Sequence, residues 1–179
     1  MNEASGISDQ NNEVIVSFLN LLLADEYVLY TKTRTAHWNV DGSNYFELHV
    51  FLENQYNAIN DMIDDIAEQI RSLGHYALGS LKDFLSIAKV SDDNQNYGNS
   101  MHVFETLLHD HETIIRIIQH EVYPISHKYK DRVTSDFVSR IMEQHEKMIR
   151  LIRSFLSEPD FIKPIPAQNT SNFFAGRQN

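Results

Sequence analysis

Apolar residues recur at intervals of three and four along most of this chain, the spacing of helices that bury one face. Ile15, Leu19, Leu22, Leu23 and Leu29 predict a first helix from about Asn12 to Trp38. Phe46, His49, Leu52, Tyr56, Ile59, Ile63, Ile66 and Ile70 predict a second from about Asn44 to Leu73. Met101, Phe104, Leu108, Ile115 and Ile118 predict a third over roughly Ser100 to Val122. Pro124 should end it, because the residue before a proline avoids helical geometry. Val138, Ile141, Met148, Ile152 and Phe155 predict a fourth from Asp131 to Leu156. A short extra helix should follow Ser80, whose hydroxyl can cap the free amides of Leu81-Lys82-Asp83-Phe84. No segment alternates with the period of two that a strand needs. The reading is an all-α four-helix bundle over residues 14–157, between a flexible N-terminal tail (1–13) and an extended C-terminal tail (158–179) that carries Pro164 and Pro166.

The second helix and its approach carry the chemistry. His37, His49, Glu53, Asp64 and Glu68 place two imidazoles and three carboxylates within 32 residues. Nitrogen and carboxylate donors together suit iron, manganese or zinc better than calcium or magnesium. At about 100° per residue, Glu53, Asp64 and Glu68 all fall within roughly 100° of His49 around the helix. Glu53 and Asp64 are nevertheless eleven residues apart, roughly 16 Å along the axis, whereas metal–ligand bonds are about 2 Å long. One ion cannot be gripped by both ends. Either these are unrelated polar residues on a solvated face, or two copies run antiparallel so that the His49/Glu53 end of one meets the Asp64/Glu68 end of the other. A two-fold axis makes that pairing automatically. A turn through Asp41-Gly42 would bring His37 to the His49 end.

These residues carry a resemblance. His37-Trp38-Asn39-Val40-Asp41-Gly42, then Leu48-His49, Glu53 and Asp64-Asp65-Ile66-Ala67-Glu68, resemble the ferroxidase signature of the Dps proteins, or mini-ferritins. The likeness continues through Leu73-Gly74, Gly79 to Leu85, Asp131 to Asp136 and Gln144 to Lys147, and so covers residues 14–157. Position 53 often carries Asp in that family and is Glu here. The resemblance implies a ferritin-like bundle, which the long crossover between the second and third helices matches independently. It also implies a hollow homo-dodecamer with iron centres, mono-iron or di-iron, between two-fold-related subunits.

Length and composition bound the alternatives. At 179 residues the chain is the size of one domain, and 42% hydrophobic content supports a core. No uninterrupted apolar run approaches the ~20 residues of a membrane span. The start, Met1-Asn2-Glu3-Ala4-Ser5-Gly6, lacks the charge and apolar segment of a signal peptide, and there are no cysteines for disulfides or thiolate ligands. A cytoplasmic location is expected.

Other residues keep two readings. His111 and His145 lie on apolar stripes and are expected to be hydrogen-bonded core residues. His109 and His111 are two apart and face different ways on a helix. Met62, Met101, Met142 and Met148 are read as packing. Trp38 is either a hydrophobic plug or, as the resemblance implies, a redox neighbour of the iron centre. Asp131 and Asp136 are implied to line a three-fold pore through which iron enters; alternatively either caps or complements the start of the fourth helix.

The expected activity is therefore oxidation of Fe²⁺ by hydrogen peroxide, the oxidant being implied by the resemblance, followed by storage of the ferric mineral. His37, His49 and Glu53 of one subunit and Asp64 and Glu68 of its mate would hold the iron, with Glu68 bridging. The formal net charge of −10 is compatible with an acidic cavity. The alternative is a DNA-compacting, nucleoid-associated protein. Compaction needs a Lys- or Arg-rich tail to neutralise phosphates, yet residues 1–13 contain neither and the C-terminal tail has only Lys163 and Arg177. Direct DNA binding is not expected without bridging Mg²⁺. A standard ferritin centre inside each bundle relies on Glu-x-x-His pairs, and none occurs.

Overall fold

The computed structural model describes residues 9–41, 44–93 and 99–157. Among these, six α-helices and one π-turn make up the regular structure: α1 (Asp9–Asn39), α2 (Tyr45–Ser72), α3 (Leu81–Ile87), α4 (Ser100–Ile117), the π-turn Ile118–Val122, α5 (Tyr123–Lys128) and α6 (Arg132–Leu156). The four long helices pack in the cyclic order α1–α2–α6–α4, with the diagonal pairs held apart by the core. Helix α1 begins at Asp9, inside the segment expected to be a tail; residues 1–8 and the C-terminal tail, 158–179, lie outside the described residues.

The apolar stripes meet on the bundle axis. Leu19, Leu22, Leu29, Leu52, Ile59, Ile66, Ile70, Phe104 and Val138 are all fully buried. At one end Phe51, Phe104 and Phe155 form a ring cluster, with centroids 4.5–5.6 Å apart. Met62 and Met148 are buried as packing residues. Two of the expected stripes are displaced in part. Phe46 is 72% exposed, because α2 has only just begun there and none of the described residues covers its first turn. In α4 the buried line runs through Val103, Phe104, Leu107, Asp110, His111 and Ile114, leaving Met101, Leu108 and Ile115 half-buried on its flanks.

Pro124 does not end the third helix. It sits in the first turn of α5, where its missing N–H costs nothing. The five-residue π-turn ahead of it widens the coil, and the helical path continues to Lys128. At the other expected caps, Ser80 Oγ accepts from Asp83 N at 3.1 Å and Asp131 Oδ1 accepts from Thr134 N at 3.0 Å.

Polar residues on α1 hold the long crossover against it. Asn20 Oδ1 accepts from Leu78 N (3.0 Å), Asp25 Oδ1 from both Lys89 N (2.6 Å) and Val90 N (2.7 Å), and Lys32 Nζ donates to Ser91 O (2.9 Å). Three side chains on one helix thus replace the backbone partners that residues 78–91 lack.

Two helices end in the same way on different residues. After α2, Gly74 N donates to Arg71 O and His75 N to Ile70 O; after α5, Lys130 N donates to His127 O and Asp131 N to Ser126 O. Both are Schellman turns, which need a left-handed residue. Gly74 (φ +88°) supplies it freely, whereas Lys130 (φ +59°) is strained. Gly74→Ala should therefore destabilise by about 1 kcal/mol from backbone conformation alone, since an added Cβ meets no atom within 4 Å. Lys130→Gly should stabilise by about 0.5 kcal/mol or more. Thermal unfolding midpoints will show shifts of opposite sign; shifts of the same sign would mean that something other than the left-handed geometry governs these turns.

Candidate metal centre

His37 closes α1 and His49 lies in the second turn of α2, and the hairpin between the helices folds them together. The rings stack with centroids 3.6 Å apart and 25° between planes. His37 Nδ1 donates to His49 O at 3.0 Å, and His49 Nδ1 donates to His37 O at 3.0 Å. A carbonyl oxygen only accepts, so each Nδ1 carries a hydrogen, and in the neutral rings each Nε2 keeps its lone pair. Backbone acceptors on the far nitrogen are the usual way that a ligating imidazole is oriented and its tautomer fixed. Tyr45 stacks on His49 (5.0 Å) and Tyr56 packs edge-on against His37 (5.2 Å). His37 is 8% exposed and His49 is half-buried.

The carboxylates do not all join them. Glu53 is exposed one turn along α2 from His49. Asp64 and Glu68 are exposed nearer the other end of the helix, and Glu68 faces a groove of about 640 Å³ between α2 and α6, shared with Asp61, Asp65 and Arg140. Among the described residues of one chain no three His or carboxylate groups converge closely enough to hold a metal. Trp38 is 63% exposed beside Arg34 and plugs no gap among the described residues. Asp131 is buried as the cap of α6, and Asp136 is exposed a turn further on.

A second polar cluster occupies the bundle axis. His145 Nε2 donates to Glu26 Oε1 at 2.6 Å, spanning the diagonal from α6 to α1. On its other side, His145 Nδ1 and His111 Nδ1 of α4 are 2.8 Å apart, so one carries the shared hydrogen and the other accepts it. Both imidazoles are thus hydrogen-bonded core residues, as expected. Beside them Lys32 Nζ lies 2.5 Å from Asp110 Oδ2. The spacing of the histidines marks their burial, but no local pattern links Glu26 to His145 or Lys32 to Asp110. The available signal was three charges, Asp25, Glu26 and Lys32, set into the apolar run of α1.

These burials shift proton affinities. Burial, reinforced by His145, pushes His111 well below its ordinary value. Burial raises Asp25 to about 6, against the opposing hydrogen bonds from Val90 and Lys89. Burial also raises Asp110, which Lys32 opposes.

The chain's relatives bear on all of this. The ferritin-like domain family model matches residues 16–162. A DNA protection during starvation protein of Helicobacter pylori is 30% identical over 78% of this chain and 96% of its own length. The chain belongs to the Dps family. This Dps protein is also 32% identical to an uncharacterized low temperature-induced protein of Nostoc, over 92% of this chain and 94% of that one. In three dimensions it resembles the Dps protein of Vibrio cholerae, described as one of the ferritin-like diiron-carboxylate proteins (TM-score 0.79, 25% identity, 84% of this chain and 93% of that one). It resembles Staphylococcus aureus Dps similarly (TM-score 0.76, 28% identity, 84% and 97%). The ferritin-like four-helix bundle expected from the connectivity is therefore the fold of this chain.

The Asp25 shift has a sign that can be tested. Its folded value, about 6, lies above the ordinary 3.8, so the contribution is full below about 4 and is lost as pH rises through 6. His111 acts oppositely: its lowered folded value supports the fold above about 6.5 and loses that support as pH falls. Asp25→Asn keeps the Oδ1 acceptor and removes only the carboxylate titration. Relative to wild type, its stability should rise between pH 4 and pH 8 by up to about 3 kcal/mol, from a shift of about two units at about 1.4 kcal/mol each. Denaturation across that range checks it; a pH-independent difference would show that Asp25 is ionised without cost.

Proposed function

We propose that this protein oxidises Fe²⁺ at centres shared between two copies of the chain and stores the ferric product inside a hollow shell of twelve. The observation that carries the proposal is the reciprocal His37/His49 pair, which leaves an Nε2 lone pair on each of two stacked rings and gives both rings fixed partners. Imidazole nitrogen with carboxylate oxygen is a suitable donor set for iron. His37, His49 and Glu53 form one half of the centre. Asp64 and Glu68 of a two-fold mate form the other, because the distance along α2 keeps them from closing on the same ion within one chain. Glu68, with the longer reach of the two, bridges where a second iron binds.

The residues then have separate tasks. The imidazoles bind Fe²⁺ without adding negative charge, and the carboxylates offset the charge that increases on oxidation. Two irons held together supply two electrons to one molecule of hydrogen peroxide, so that neither has to reduce it alone. Asp136, with Asp131 behind it, provides the negative potential that draws cations through a three-fold opening. Asp61, Asp65 and Glu68 make the α2/α6 groove the acidic surface on which ferric product gathers. Iron here is substrate and cargo. The location is cytoplasmic.

Relatives named for DNA protection keep a second reading in view. Removing Fe²⁺ and peroxide protects DNA without contact, and Lys163 and Arg177 are the only basic residues in segments 1–13 and 158–179, where compaction calls for a basic tail. DNA protection is therefore placed downstream of iron chemistry rather than beside it.

The test is complementation. His37→Ala/His49→Ala subunits and Asp64→Ala/Glu68→Ala subunits should each assemble yet oxidise Fe²⁺ far more slowly than wild type, with peroxide preferred to dioxygen in stopped-flow measurements. Co-refolded mixtures should regain part of the rate, because each mixed pair contains one intact centre. Mixed shells no faster than their parents, with mixing verified by mass, would mean that each centre belongs to a single chain.

A further inference from the structure

One line of aromatic side chains starts at the candidate centre and leads away from it. Tyr56 of α2 meets the His37 ring edge-on at 5.2 Å and 74°. Tyr30 of α1 meets Tyr56 at 6.1 Å and 86°, and Tyr27, one turn earlier, meets Tyr30 at 6.5 Å and 70°. Beyond Tyr27 stands Phe84 of α3, stacked at 4.4 Å, which is far harder to oxidise than a phenol and closes the line. All three tyrosines are half-buried. Arg34 lies over both Tyr30 and Tyr56, each at 5.7 Å, and its Nη1 donates to the Tyr30 hydroxyl at 2.6 Å. The same guanidinium lies 5.3 Å from the Trp38 ring, which is mostly exposed.

Packing alone accounts for aromatic contacts of this kind. It does not account for their arrangement. Three readily oxidised rings follow one another from a candidate iron ligand, and the middle one carries a cationic hydrogen-bond donor on its oxygen. That donor suits a phenoxyl product: when the phenol loses its proton to solvent, the bare oxygen retains a partner.

We propose that Tyr56 and Tyr30 form an electron relay that supplies the second electron when only one iron occupies a centre. The inference rests on the ferroxidase reading given above. A lone Fe²⁺ that gives one electron to hydrogen peroxide leaves hydroxide and a hydroxyl radical. With the relay, the iron gives one electron and becomes Fe³⁺, while a tyrosine gives the other and releases its phenolic proton. Peroxide takes both electrons and two protons, the equivalent of the phenolic one and a second from solvent; its O–O bond breaks, and two waters form. The oxidising equivalent remains as a tyrosyl radical, moved from Tyr56 to Tyr30 and away from the iron. Tyr56, and not the exposed Trp38, is the entry point, because it is the tyrosine in contact with the His37 ring.

The test uses the assembled full-length protein, loaded anaerobically with Fe²⁺ at no more than one per chain, mixed with hydrogen peroxide and freeze-quenched for electron paramagnetic resonance. The expected signal is a tyrosyl radical that narrows with ring-deuterated tyrosine. It should persist in Trp38→Phe, be largely lost in Tyr56→Phe, and change its hyperfine pattern in Tyr30→Phe. Spin-trapped hydroxyl radical should increase in Tyr56→Phe, while its melting temperature stays near wild type. Iron oxidised without any tyrosyl signal, or an unchanged signal in the Tyr30→Phe/Tyr56→Phe double variant, would overturn the relay and leave the ferroxidase reading standing. No iron oxidation by wild-type protein would overturn the ferroxidase reading and the relay with it.

Discussion

The reciprocal pairing of two imidazoles with each other's backbone carbonyls is the constraint from which the rest of the site follows. It ties the last turn of α1 to the second turn of α2 across a hairpin, at two hydrogen bonds of 3.0 Å each. Because each bond consumes an Nδ1 hydrogen, it also decides which nitrogen of each ring faces outward as a lone pair. One local interaction therefore sets backbone geometry, tautomer and ligand direction together. A site held this way needs little reorganisation on binding, which is what a supporting shell of hydrogen bonds provides to a metal centre.

Away from that hairpin, polar residues do the work of topology. Asn20, Asp25 and Lys32 fasten the crossover to α1, while Glu26, His145 and His111 join three helices across the bundle axis. An apolar core of equal volume is often as stable as a buried ionic group or more so. Breaking one member of the cluster, however, strands its partner in a dry interior. The raised Asp25 and lowered His111 proton affinities record the same cost from the side of each group.

Much of this was legible from residue order, for physical reasons. Helical periodicity follows directly from burying one face, so the four long helices, the Ser80 cap and the core histidines could be read locally. The intervals from His37 to Glu68 were equally local and pointed to two separated half-sites. What escaped depends on contacts distant in sequence. Glu26 and His145 are 119 residues apart, and nothing around either names the other. Pro124 misled because a π-turn absorbed the disruption that a proline normally causes. Phe46 misled because apolar spacing alone does not say whether a neighbour is present to cover it. Lys130 holds a left-handed turn for which glycine would be the natural expectation.

The central claim is that one chain holds only half of each iron centre. Crystals of the assembled protein soaked anaerobically in Fe²⁺, with anomalous difference maps collected at the iron edge, test it most directly. The expected peak lies between two copies, within coordination distance of His37 and His49 Nε2 of one and of Asp64 and Glu68 of the other. A peak enclosed in a single bundle beside Glu26 and His145, with none at the His37/His49 pair, would contradict it.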